Sequence, residues 1–213
     1  MNVYIYTDQR APWSNTVAYR PLTNDLIDVI GNKSLTYQSP ASASKQSLGY
    51  RFVGWVTSWD WTNVKLISCW LKVISGSSTN CGLPGIANPS VGYYYKHNES
   101  RLYQKFFCWT NSSFGASTAT ANISTGNRIH FVVCYDQTEN KSYGYINWTQ
   151  YLIYNGAGYS FGNEIMPINS DSGAGGYSGN LTVDISDLIF ESKSRTAQEV
   201  LNYYNNTKSK YWL

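Results

Sequence analysis

Between Arg128 and Thr149 the chain reads RIHFVVCYD, then QTEN, then KSYGYINWT, and side-chain character alternates on both sides of the polar gap. Ile129, Phe131 and Val133 interleave with Arg128, His130, Val132 and Cys134; on the return, Tyr143, Tyr145 and Asn147 interleave with Gly144, Ile146 and Trp148. A period of two places successive side chains on opposite faces of an extended chain, whereas a helix needs a period near 3.6. Gln137 to Asn140 has the length of a tight connection between antiparallel strands. The stretch predicts a central β-hairpin, and a hairpin is stable in water only when further strands help bury its apolar face.

Composition agrees. Charged residues make up only 14% of 213, while Tyr and Trp number 19 and 8, which suits strands with aromatic, hydroxyl-rich faces better than a helical bundle. With no charge run and no long Pro-rich linker, residues 1–213 read as a single domain. A net charge of +3, spread without a basic cluster, argues against a nucleic-acid partner. Cys69, Cys81, Cys108 and Cys134 contain no CxxC pair, so a zinc or thioredoxin-like motif is unsupported and buried free thiols are expected. The start of the chain lacks a basic segment and an apolar core, and no run reaches membrane-spanning length; neither secretion nor membrane insertion is expected, and the N-x-S/T triplets carry no weight.

In order, strands are expected at Asn2 to Thr7, Thr16 to Leu22, Tyr50 to Trp55, Asn63 to Ile74, Ser90 to Lys96, Arg101 to Trp109, weakly at Ser117 to Ile123, and at Leu181 to Glu191. Asp25 to Asn32 closes on a Gly31-Asn32 turn, and Lys33 to Tyr37 can resume extended structure. Asn63 to Ile74 alternates Ile67, Cys69, Leu71 and Val73 with Leu66, Ser68, Trp70 and Lys72, which predicts one buried and one wet face. The second hairpin would turn at His97 to Ser100 and set Tyr93, Tyr94 and Tyr95 against Tyr103, Phe106 and Phe107. Pro40 to Gly49 and Ser75 to Pro89 read as loops, Tyr151 to Asn169 as irregular, and glycine-rich Ser170 to Asn180 as flexible. Thr196 and Glu199 form a capping box ahead of Val200, Leu201 and Tyr204, so one helix should begin there, run to about Asn205 and cover a sandwich edge.

Three stretches carry a resemblance. Val17 to Asn32 is similar to a strand followed by an Asp-x-x-Gly-Asn turn, with Asp28, Gly31 and Asn32 in the matching places. The central hairpin looks like a strand ending in Tyr-Asp, a turn, and a strand ending in Ile-Asn; Ser178 to Asn205 looks like a closing strand with its Asp residues and a terminal Ser/Thr-x-x-Glu helix. In this order and spacing they resemble the concanavalin A-like lectin/glucanase superfamily, in particular its laminin-G-like jelly rolls. The resemblance implies an all-β fold: two antiparallel sheets packed as a jelly-roll sandwich, with one short C-terminal helix. It implies no single function, because such sandwiches serve as lectins, glycosidases, adhesion modules and virion parts. The YTDQRAP lead, Tyr6 to Pro12, is in addition similar to segments of predicted bacteriophage structural proteins.

The chemistry expected of this chain is binding. A retaining glucanase needs two carboxylates roughly 5 Å apart. The family's E-x-D-x-x-E pattern is absent, and Asp184 and Asp187, an odd number apart, would face opposite ways on an unbulged strand and bond to turn backbone. No Ser/His/Asp set is readable: His97 falls in a turn, and His130 reads as a structural hydrogen-bonding partner. No cofactor is expected; calcium, found in some relatives, would have only Asp136, Asp171 or Asp25 with loop carbonyls. The surplus is aromatic. Trp59, Trp61, Trp109, Trp148, Tyr93, Tyr94, Tyr95 and Tyr159 exceed what one core absorbs; each ring either fills or covers the sandwich, or holds a sugar or protein partner. Trp59, Asp60, Trp61, Tyr94, Trp109 and Trp148 are the candidate ligand-binding residues. The reading is a non-catalytic phage virion component (capsid decoration, fibre or tail), assembled in the host cytoplasm with itself or other virion proteins and able to present a face to cell-surface glycan. The alternative is a stand-alone carbohydrate-binding module.

Overall fold

The computed structural model describes residues 15–20, 22, 36–37, 42–53, 56–58, 64–76, 80–82, 93–97, 104–108, 125–155, 166–167 and 181–211. The expected strands at Asn2 to Thr7 and Ser117 to Ile123, the Asp25 to Asn32 turn and the Ser170 to Asn180 segment lie outside these residues. In chain order the elements are β1 (Thr16–Arg20), β2 (Thr36–Tyr37), β3 (Ser42–Gln46), β4 (Gly49–Val53), β5 (Val56–Ser58), β6 (Leu66–Gly76) and β7 (Asn80–Gly82). There follow β8 (Tyr93–His97), β9 (Gln104–Cys108), β10 (Arg128–Asp136), β11 (Lys141–Ile146), β12 (Thr149–Asn155), β13 (Met166–Pro167), β14 (Leu181–Glu191) and α1 (Ala197–Tyr211).

The chain is an all-β antiparallel sandwich with one C-terminal helix. Its eight-stranded sheet has the order β12-β11-β10-β6-β14-β4-β3, with β1 also paired to β14; β13-β5-β2 and β7-β8-β9 form two three-stranded sheets. Along β14, residues 182–185 pair with β4 and residues 188–191 with β1. The central hairpin forms as expected: Phe131 pairs with Ile146 and Asp136 with Lys141. Asp136 accepts hydrogen bonds from the Thr138 and Glu139 amides at 2.8 and 3.1 Å, an Asx-type closure of the connection.

Four segments expected to be loop or irregular are strands: β3, β7, β12 and β13. Ser42–Gln46 is an edge strand with mostly exposed side chains, so it lacks the apolar alternation that marks a half-buried one. Thr149–Asn155 pairs with β11, because the chain reverses at Asn147-Trp148 rather than continuing outward. His97 closes β8 rather than lying in a turn, and Tyr94 and Tyr95 pair with Phe107 and Phe106 as expected.

β6 departs from the expected two-sided strand. Ile67, Cys69, Leu71 and Val73 are buried, and so are Leu66, Ser68 and Trp70. The helix explains this, for it lies across a face of the sheet, not along an edge. Val200 joins Leu66, Val132, Cys134 and Tyr145 in one cluster, while Tyr204 and Tyr211 pack on Trp70 with ring centroids 5.7 and 4.6 Å away. A third cluster joins Tyr203 to Tyr19 and Ile189. The helix also runs to Tyr211, beyond the expected end near Asn205, because Tyr204 and Tyr211 extend its apolar stripe.

Gly49 opens β4 with φ +118°, and a Cβ there would stand 2.2 Å from the Ile185 carbonyl oxygen and 2.3 Å from Ser186 Oγ. Only glycine fits the turn from β3 to β4. Cys69 and Cys134 are free and buried, as expected. Burial pushes the Cys134 thiol up to about 12 and raises Cys69 as well, so both stay protonated and unreactive at neutral pH.

Candidate functional site

Of the residues singled out in the sequence, Trp59, Asp60, Trp61, Trp109 and Tyr159 lie outside the described residues, as do Asp25 and Asp171. Tyr94 is placed on β8 in a three-stranded sheet, and Trp148 in the β11–β12 turn of the large sheet. Trp148 is where geometry speaks for function. It is 48% exposed, and with Val53 it is one of two exposed large hydrophobics among the residues whose burial the structure describes.

The turn itself is unusual. Asn147 and Trp148 both have positive φ, 47° and 70°, the signature of a two-residue hairpin turn of the I′ kind. Asn accepts that conformation readily; at the second position glycine is favoured, and a bulky side chain there costs on the order of 1–3 kcal/mol. The conformation holds because Asn147 is clamped to β10: its amide donates to the His130 carbonyl at 2.9 Å, and its Oδ1 accepts from the His130 amide at 2.8 Å. A rigid turn thus presents a large aromatic face to solvent, which sugar rings and partner side chains both use.

The carboxylates nearby are committed elsewhere. Asp184 does not bond to turn backbone: Arg51 Nε and Nη2 donate to its two oxygens at 2.7 and 3.0 Å. The β14 register shifts between Ser186 and Ile189, and Asp187 sits in that bulge with φ 46°. The bulge turns Asp187 toward the helix, where it accepts from Tyr19 Oη at 3.0 Å, from Lys210 Nζ at 3.1 Å and from Tyr211 Oη. Glu191 accepts from Arg195 Nε and Nη2 at 2.6 and 3.0 Å, and Arg195 Nη1 reaches Glu199 at 3.0 Å. Burial raises the Glu191 pKa, against the opposing pull of Arg195. His130 is the structural partner expected of it: its Nε2 and Ser68 Oγ share a hydrogen bond of 2.9 Å under Tyr203 and Tyr204. Asp136, a calcium candidate, has Oδ1 bonded to the two turn amides.

Sequence reasoning missed one set of residues on this sheet. Register places Arg128 opposite Lys72, Lys72 opposite Asp184, and Asp184 opposite Arg51. Each is merely the polar member of an alternating run; nothing in the sequence says that the runs align.

The fold defines a class, the antiparallel β-sandwich with a helix on one face, and comparison with solved structures gives it neighbours. No protein-family model matches the chain, and no curated protein sequence does. Domain 4 of the GH43 extracellular arabinanase AbnA from Geobacillus stearothermophilus, in complex with arabinotriose, has a TM-score of 0.62 at 14% identity over 88% of this chain and 97% of that one. A Trypanosoma rangeli sialidase in complex with sialic acid has a TM-score of 0.63 at 11% identity, over 92% of this chain and 34% of the sialidase. The botulinum neurotoxin type G receptor binding domain has a TM-score of 0.59 at 13% identity, over 91% of this chain and 52% of its own. At these identities the likeness is one of fold, shared by enzymes and binding domains alike.

Proposed function

We propose that this chain is a non-catalytic module that binds carbohydrate, with the Trp148 ring as its stacking face, and that it serves as a structural component of a bacteriophage virion. The observation that carries the glycan reading is Trp148 itself. A position that favours glycine holds an exposed tryptophan on a clamped turn. Backbone strain of that kind gathers at functional sites. Among the fold's neighbours, the arabinanase domain was solved with arabinotriose and the sialidase with sialic acid, which supports the same direction. The non-catalytic part is supported by Asp184, Asp187 and Glu191, each engaged by an arginine, lysine or hydroxyl partner. Trp59, Asp60, Trp61, Tyr94 and Trp109 are proposed as further ligand contacts. The virion setting rests on the similarity of the YTDQRAP segment to phage structural proteins, with the chain itself or other virion proteins as partners.

A glycan array probed with the wild type and with Trp148→Ala tests the first part. Glycan-specific binding that weakens in the variant is expected; no binding to any glycan removes the reading. The virion part calls for light scattering and for mass spectrometry of purified particles. Self-association burying at least about 1,000 Å², or recovery of the chain from particles, is expected. A monodisperse monomer absent from particles favours the stand-alone module instead.

A further inference from the structure

The helix covers the large sheet only as far as the row formed by Trp70, His130 and Ser186. The next row on the same face is Arg128, Lys72, Asp184, Arg51 and Ser44, consecutive across β10, β6, β14, β4 and β3. Directly opposed residues on adjacent strands share a face and stand about 5 Å apart. Three cations therefore face one carboxylate, and that carboxylate is already held by Arg51. Among the described residues Lys72 has no hydrogen-bond or ion-pair partner, and Arg128 has one hydrogen bond, from Nη1 to Ser186 Oγ at 2.8 Å, with the Tyr211 ring 5.7 Å from its Cζ. Both side chains are half-buried, neither sealed in nor fully solvated.

A guanidinium carries five N–H donors, and a partly desolvated one is ordinarily met by a carboxylate or phosphate in a forked contact. Here burial pulls the Arg128 pKa below its ordinary value, more than Asp184 and Asp187 raise it. The helix C-terminus nearby carries partial negative charge, which Lys208 and Lys210 in its last turn offset. The Asn147-Trp148 turn follows β11 at the end of the sheet where β10 begins, the end that Arg128 occupies. An exposed ring and two cations that form no salt bridge among the described residues thus share one end of the sheet. Nucleic-acid binding draws on many phosphate contacts, and two free cations are too few for it.

We infer that Lys72 and Arg128 form an oxyanion subsite, and that the glycan bound by this chain is an acidic one whose carboxylate or sulfate seats between them. This rests on the glycan reading above and adds the sugar class.

The test is titration calorimetry with 3′-sialyllactose and with oligogalacturonate as carboxylate probes, a chondroitin sulfate disaccharide as the sulfate probe, and lactose as a neutral reference. Acidic probes should bind about ten- to a hundredfold more tightly than lactose, the range expected for charge-assisted hydrogen bonds, and lose that advantage in high salt. Binding of carboxylate but not sulfate probes, or the reverse, identifies which group seats there. Lys72→Gln should bring acidic binding down to the neutral level with an unchanged melting temperature, because it removes the charge without setting a second carboxylate opposite Asp184. Arg128→Gln should lower acidic binding likewise, at some cost in melting temperature because it loses the Ser186 bond, while Trp148→Ala weakens every probe. Equal affinity for acidic and neutral sugars, or full acidic binding by Lys72→Gln, overturns the subsite and leaves the glycan reading standing. Failure of all probes on the array as well as here takes both down.

Discussion

His130 is fully buried beneath the helix, with its Nδ1 unpartnered among the described residues and Ser68 on its Nε2. Burial lowers its pKa from 6.5 to about 3. Between those values the unfolded chain binds a proton that the folded chain refuses, so stability falls as pH drops from about 6.5 toward about 3. The slope from this one group is roughly 1.4 kcal/mol per pH unit. His130→Gln, which keeps a polar partner for Ser68, should flatten that acid limb in urea titrations at stepped pH; parallel limbs in the two proteins would refute the assignment. Trp148 offers the complementary case. Trp148→Gly relieves the left-handed strain, and its melting temperature should equal or exceed that of the wild type even as glycan binding is lost. A lower melting temperature would mean that the ring is a packing residue. The sequence showed His130 as a structural partner and Trp148 as a candidate ring. It did not show that Trp148 lies in a tight turn, because neither Asn147 nor Trp148 is the glycine that usually announces one.

Among the elements, the helix start was fully legible. The Thr196 amide donates to Glu199 at 2.8 Å and the Glu199 amide donates back to Thr196 Oγ1 at 3.3 Å, the reciprocal bonds of a capping box. Its end was not, since what holds the last turn is distant in sequence: Asp187, in the β14 bulge, accepts from Lys210 and Tyr211. Tyr211→Phe keeps the ring on Trp70 and removes only the hydroxyl to the carboxylate. It should cost about 1.5–3 kcal/mol in urea unfolding, as loss of a bond to a charged group does. Tyr211→Ala should cost about 3–5 kcal/mol through loss of the packed ring as well. A Tyr211→Phe variant as stable as the wild type would mean that the hydroxyl contributes nothing and the last turn is held by packing alone. Equal costs for the two variants would mean that the ring adds nothing beyond its hydroxyl. The same distance effect hid β3 and β12. Both are strands by virtue of the neighbour they pair with, and neither carries an apolar alternation of its own.

At the scale of the whole molecule, the order of the large sheet ranks its parts. β6 lies between β10 and β14, and residues 66–71 are buried on both faces, one of them under the helix. β3 lies at one edge, and its side chains are exposed or half-buried. The period-two pattern of β6 announced a strand, but its second face looked wet because Ser68 and Lys72 stand there; only the helix, more than a hundred residues further on, makes that face interior. Amide exchange reports such ranking, because a hydrogen opens to solvent either by local fraying or by global unfolding. Opening β3 exposes little apolar surface, so its amides should exchange by local fraying, well below the global stability. Opening β6 must break two ladders and lift the helix, so amides at 66–71, with their partners at 129–134, should exchange only by global unfolding and slow together with increasing stability. Helix amides at 200–204, held on the same face, should join that slowest class. Native-state hydrogen exchange followed by mass spectrometry resolves these segments. If β6 were to exchange while α1 stayed protected, or β3 as slowly as β6, the helix would not be the second wall of the core.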